Sequence, residues 1–182
     1  TDVNLLIDEL APLLRQTAGK RIEVSFSPNA IEAVCDIDPG GLNNALVNLV
    51  INARDAMPRG GRIVVYAYST DILPGSLIAP LRLEPGTYVV IGVDDTGAGM
   101  SPDVALHAFD PFFTTKARGQ GTGLGLAMVY GFARQSGGAA RIQSTPRKGT
   151  SVQILIPASK ASPRPAPNHA AVTRHDNPLR IL

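Results

Sequence analysis

Tryptophan is absent from the 182 residues, aromatics make up only 5% of them, and cysteine occurs once, at Cys35. A single thiol closes no internal disulfide, which excludes a small stapled secreted scaffold and favours a reducing compartment, the cytoplasm. No apolar run approaches the ~18 residues of a membrane span and no secretory leader pattern is found. These residues are therefore expected to make no membrane contact, while an anchor elsewhere in a longer parent stays open. An excess of one charge is also missing: 17 Lys/Arg face 15 Asp/Glu, which argues against nucleic acid as a partner. What excess exists sits late, since residues 158–182 hold four basic side chains and one acidic, leaving 13 against 14 before them. Histidine does not occur in the first 100 residues; the three are His107, His169 and His175. Neither G-x-x-x-x-G-K-[ST] nor G-x-G-x-x-G occurs, which removes the main support for P-loop and dinucleotide-binding readings. There is no internal repeat.

What is present suffices for one core, because 44% of the residues are hydrophobic and this length supports a single α/β domain rather than two. An opening helix carries Leu6, Leu10, Leu13 and Leu14 on one side and stops at Gly19. IEVSFS and AVCDID read as two strands around a PNA turn. Pro39 marks the start of a second helix that ends before Gly60 and Gly61. Its apolar set, Leu42, Ala45, Leu46, Leu49, Val50, Ala53 and Met57, follows helical spacing, so one face is core. RIVVYAYST and YVVIGVDD read as strands joined by a long Pro/Gly-containing hairpin loop, and LGLAMVYGFARQ as a helix stopped by Gly-Gly. AARIQSTP and TSVQILIP form a closing hairpin that completes a domain at residues 1–157. Residues 158–178 are Pro/Ala-rich and aperiodic, a flexible linker, before an apolar LRIL at 179–182.

The chemistry concentrates between Asp95 and Gly125. Val89, Ile91, Val93 and Asp95 share one strand face, so Asp95 points inward, where a carboxylate needs a donor from the protein or a ligand. Gly97 and Gly99 follow at once and let the backbone turn tightly beside a flat ligand. Gly119, Gly121, Gly123 and Gly125 run into a helix whose first amides lack intrahelical partners and suit phosphate oxygens. On the second helix Asn44, Asn48, Asn52 and Asp55 form a column, since four residues advance only about 40° past a full turn. Amide oxygens bordering a pocket suit a hydrated Mg²⁺. Between the glycine clusters lie Phe109, Phe112 and Phe113, read first as a small satellite core, and His107, read as a surface side chain.

In order, N-x-x-x-N-A (Asn48 to Ala53), D-x-G-x-G (Asp95 to Gly99), F-x-P-F-F-T-T-K (Phe109 to Lys116), G-x-G-T-G-L-G (Gly119 to Gly125) and K-G-T (Lys148 to Thr150) resemble the catalytic ATP-binding domain of two-component sensor histidine kinases, in the GHKL superfamily. The resemblance covers residues 1–157. It implies a Bergerat fold, a two-layer α/β sandwich in which a mixed, mostly antiparallel sheet is covered on one face by about three helices, with an ATP lid. It further implies that Asp95 accepts from the adenine amino group, that Gly97 and Gly99 line the base, and that Thr150 supports the same corner. Asn52 with Asn48 would bind Mg²⁺. Amides of Gly121, Gly123, Leu124 and Gly125, with the Thr122 hydroxyl, would hold phosphate oxygens. Lys116 would reach the terminal phosphate, and Asp55 would lie at the same nucleotide site. The implied catalytic residues are Asn52 and Lys116, the cofactors ATP and Mg²⁺, and the aromatic box would touch a helical dimerisation domain.

That family needs a phosphoacceptor histidine on a helical hairpin, and none of the three histidines here has such a setting. The chain is therefore expected to bind ATP and to pass the γ-phosphate to a histidine on a separate dimerisation domain, with a receiver domain or response regulator downstream. PLRIL after the linker resembles the entry to a receiver domain, as in a hybrid kinase. Two other classes stand beside this one. A GHKL hydrolase would need a carboxylate for water where Asn48 stands, leaving Asp55 as the nearest candidate. A non-catalytic nucleotide sensor would use the same pocket. A protein-serine kinase of the anti-sigma type is a narrower variant of the first class.

Overall fold

The computed structural model describes residues 1–73, 83–116 and 121–159. Five strands make one sheet: β1 (Ile22–Pro28), β2 (Gly61–Ile72), β3 (Gly86–Asp95), β4 (Ala139–Thr145) and β5 (Gly149–Pro157), in the order β1-β2-β3-β5-β4. β1 pairs parallel to β2 and every other pairing is antiparallel. The helices are α1 (Val3–Ala18), α2 (Pro39–Asp55), the short α3 (Pro102–His107) and α4 (Gly125–Gln135). The mixed, mostly antiparallel two-layer arrangement expected from the sequence is the one found. The expected linker and the LRIL segment lie, from residue 160 onward, outside the described residues, as do residues 74–82 of the β2–β3 connection and Gly119.

Period-two alternation sorts the sheet into two faces. Ile63, Val65, Val89, Ile91, Val93, Ile154 and Ile156 join the core beneath α1, α2 and α4, while Ile72, Tyr88, Val90 and Leu155 form a second, smaller cluster. β3 is apolar on consecutive positions because it serves both. Further along that outer face Tyr66 covers Gly92, where a Cβ would collide with the ring, and donates its hydroxyl to Asp94 Oδ1 at 3.1 Å.

α2 lies across the middle of the core. Asp38 caps it by accepting from the Gly40 and Gly41 amides, and Pro39 occupies its first turn. Leu42, Ala45, Leu46, Leu49, Val50 and Ala53 are buried, as is Met57 just past its end, so the apolar stripe read from the spacing is the packing face. Truncating a side chain such as Leu46 to Ala should cost about 2–5 kcal/mol.

Two expectations are corrected. α1 buries Val3, Ile7, Ala11, Leu14 and Ala18, with Leu6 and Leu10 only partly buried and Leu13 exposed. The small Ala11 and Ala18 let the helix lie close to its neighbours, and the stripe follows them rather than the leucines. AVCDID is not a strand of the sheet. Val34 makes one bridge to Asp2 and Cys35 one to Ala158, so this segment is a strap between the first and last described residues, leading directly into the Asp38 cap. Cys35 is buried in it, and desolvation is the main reason its thiol is raised to about 11.

Candidate functional site

Asp95 closes β3 opposite Thr150 of β5 and Ile63 of β2. Its Oδ1 accepts from the Gly97 amide at 2.7 Å and the Thr150 amide at 3.3 Å, whereas Oδ2 takes no donor from the described residues. Burial is the largest influence on this carboxyl and raises its pKa; the two amides oppose it, and neighbouring Asp94 adds to the rise. The inward direction read from the alternation is thus real, and the charged form still lacks part of its hydrogen bonding.

The turn after Asp95 is fixed on three sides. Gly99 takes φ +64°, and a Cβ there would run into the Thr145 carbonyl, so only glycine fits. The Ala98 amide donates to Ala56 O at 3.1 Å at the end of α2, and the Arg147 amide donates to Ala98 O at 2.7 Å. A Cβ on Gly97 would crowd Ala56 at 2.8 Å. Ser144 completes the corner: its hydroxyl receives the Met100 amide at 2.8 Å and lies 2.8 Å from the Thr150 hydroxyl. Thr150 is buried there. Ser144 and Arg147 were not singled out from the sequence. The signal was available in the hairpin register, which sets Ser144 opposite Thr150 and Thr145 opposite Gly149.

The second wall comes from α2 and the start of α4. A Cβ on Gly125 would stand 3.4 Å from Asn52 Nδ2 and 3.6 Å from Asn48 Oδ1, so both amides face the glycine loop across a gap that glycine leaves open. Neither side chain bonds to another described residue. Carboxamide orientation is interchangeable by a flip, so each can present an oxygen, the donor type that Mg²⁺ prefers. The donor set fits such an ion. α4 begins with Leu124 in helical conformation and no side-chain cap, which leaves its first amides for other acceptors. The Leu124 amide itself donates to Thr122 Oγ1 at 3.3 Å.

Two residues on either side of the loop before α4 hold each other in left-handed conformation, Phe112 at a cost and Gly123 without one. Phe112 has φ +67° and its amide donates to Gly123 O at 3.0 Å, while Gly123 itself sits at φ +67° against the Phe112 backbone. The aromatic box does not form one satellite core. Phe109 packs on the main core and against Tyr130, with ring centroids 5.5 Å apart; Phe113 meets His107 at 5.8 Å; Phe112 is 74% exposed. His107 is exposed as expected, and pairs with Asp110 at 2.7 Å. α3, absent from the sequence reading, is capped by Ser101 and opened by Pro102 but buries nothing, so no apolar period announces it.

Lys116 extends from this loop beside Gly121, whose Cβ would meet the lysine chain at 3.0 Å, and its Nζ donates to Asp55 Oδ2 at 2.6 Å. Asp55 Oδ1 accepts from Arg54 Nε at 3.1 Å and Nη2 at 3.0 Å. Desolvation is the largest influence on Asp55 and pushes upward, but the bonds and charges of Lys116 and Arg54 together outweigh it and hold the carboxyl below its usual range. Such a carboxylate is a poor proton acceptor.

The family described as "Histidine kinase-, DNA gyrase B-, and HSP90-like ATPase" matches residues 37–160. The sensor kinase CckA of Brucella abortus is 39% identical over 156 residues, which are 86% of this chain and 16% of that protein. The chain spans 16% to 31% of the length of such curated sensor kinases. The structure of the mycobacterial sensor histidine kinase MprB superposes with TM-score 0.64 at 27% identity, covering 86% of this chain and 95% of that one. Full-length ShkA in complex with AMPPNP gives TM-score 0.67 at 25% identity over 90% of this chain and 31% of that one.

Proposed function

Because the chain belongs to the histidine kinase-, DNA gyrase B- and HSP90-like ATPase family, we propose that it binds Mg-ATP and donates the γ-phosphoryl group to a histidine on a separate helical dimerisation domain. The observation that carries this reading is the half-satisfied Asp95: one oxygen pinned by Gly97 and Thr150, the other left for an exocyclic amino group. A purine base with that donor would lie against Gly97 and Gly99, with Thr150 and Ser144 behind it. The AMPPNP in the ShkA complex supports the same ligand class.

Asn48 and Asn52 are the residues that would hold Mg²⁺. Bound there, the ion would screen the charge of the phosphate oxygens. The Gly121–Gly125 amides would donate to those oxygens, the Leu124 amide giving up Thr122 Oγ1 to do so, and Lys116 would supply a mobile positive charge. This chain's contribution is positioning and charge stabilisation rather than covalent chemistry. The acceptor histidine, and the base that readies it, belong to the separate domain. A receiver domain or response regulator would then take the phosphoryl group.

A hydrolase is disfavoured by Asp55, the nearest carboxylate to the Asn48 and Asn52 pair in sequence, whose two oxygens are engaged by Lys116 and Arg54. The test is phosphate release at a Mg-ATP concentration that calorimetry shows to be saturating. Binding without steady release is the expected result. Sustained release that disappears in Asp55→Asn would replace this reading with the hydrolase one.

A further inference from the structure

Asp55 has two partners of unequal kind. Arg54 grips one oxygen through two nitrogens and is itself anchored, since its Nη1 donates to Thr17 O at 3.1 Å in the last turn of α1. Lys116 holds the other oxygen through a single ammonium on a four-carbon stem, from a loop 61 residues away in sequence. The first partner is tied to the helical layer and the second to the glycine-rich loop.

The lysine is part-exposed and has open space beside it. Its side chain is 33% exposed, and the pair borders a cleft of about 830 Å³ between the ends of α1 and α2, walled also by Lys20, Arg21 and Met57. That cleft shares Asp55 and Lys116 with the nucleotide site but is lined by none of Asp95, Gly97, Gly99, Gly121, Gly123 and Gly125, so it gives Lys116 room without being the site itself. If Lys116 departs, Asp55 is not stranded, because Arg54 keeps it paired. A carboxylate losing its only cation would resist the exchange; this one has a second in Arg54.

We propose that Asp55 is a positioning residue that competes with the terminal phosphate of a bound nucleotide for the lid lysine Lys116, parking it between nucleotides and yielding it to a triphosphate. The inference rests on the functional reading above. A triphosphate brings the larger charge to the glycine loop and wins the ammonium; a diphosphate leaves it with Asp55. Removing the Asp55 charge should therefore favour the triphosphate, and only through Lys116.

Calorimetry with Mg-AMPPNP and Mg-ADP on the full chain tests this. Asp55→Asn should tighten AMPPNP about two- to fivefold, the range of a part-exposed ion pair, and ADP by less. In a Lys116→Ala background the same substitution should leave both affinities unchanged. Weaker or unaltered AMPPNP binding, an equal gain for both nucleotides, or a gain that survives Lys116→Ala would each overturn the proposal. The last would mark a general charge effect. Failure of the wild type to bind either nucleotide would remove the functional reading and this inference with it, whereas wild-type binding with an unmoved ratio would remove the inference alone.

Discussion

The two ends of the site are built on opposite plans. At the Asp95 end, backbone amides from the turn after β3 and the start of β5, the Ser144 hydroxyl and the close seats of Gly97 and Gly99 fix the groups before a ligand arrives. At the glycine-loop end, the side chains of Asn48 and Asn52 have no partner among the described residues, the start of α4 has no side-chain cap, and Lys116 is held by a single part-exposed ion pair. α2 joins the ends: Ala56 touches the first and Asn48 the second, about 12 Å of helix apart at 1.5 Å per residue. Under the proposed function, the difference is between recognition and chemistry. A base of constant shape rewards a rigid corner, while a phosphate chain that is about to be cut needs groups that can follow it.

The largest expected effect would break the rigid end. Asp95→Ala should weaken nucleotide binding at least ~100-fold and cost about 1–3 kcal/mol of stability, because it strands the Gly97 and Thr150 amides. Calorimetry beside urea unfolding measures both, and unchanged affinity would reject the assignment of the base to Asp95.

A pair of glycine replacements sharpens the contrast. Gly99→Ala forces a Cβ into the Thr145 carbonyl at positive φ and should cost about 1–3 kcal/mol or more in stability. Gly125→Ala meets its neighbours at ordinary contact distance, so the melting temperature should hold while Mg-nucleotide affinity falls, the methyl group occupying the gap before Asn48 and Asn52. Equal losses of stability would erase the distinction between the ends.

The smallest effect is in acid. Asp95 is raised above its ordinary value, mainly by burial, so protonating it favours the fold, and that gain disappears as pH rises through its folded pKa. Asp55 is lowered, so its contribution is present above the unfolded value of 3.8 and is lost only as pH falls through a still lower one. Acidification from neutrality should therefore weaken base recognition first, with the Lys116 pair intact. Carboxyl chemical shifts of the two aspartates, followed by NMR, should titrate in that order; the reverse order would contradict the assigned environments.

Much of this was legible in the residues. The α2 stripe, the inward Asp95 and the closing hairpin follow from period alone. The AVCDID segment misled because its alternation is that of a strand, although the chain offers it only single bridges to Asp2 and Ala158. α3 was invisible because it buries nothing. No local pattern could pair Lys116 with Asp55, since tertiary folding alone brings them together.

The strap at Cys35 supplies a built-in clock. Cys35 is 1% exposed and burial raises its thiol to about 11, so the closed strap withholds both access and the reactive thiolate. Labelling must then wait for residues 1–3 or 158–159 to release their hydrogen bonds to residues 33–35. The modification rate of one sulfur thus counts how often the segment leading into the cap of α2 comes loose, without any introduced probe.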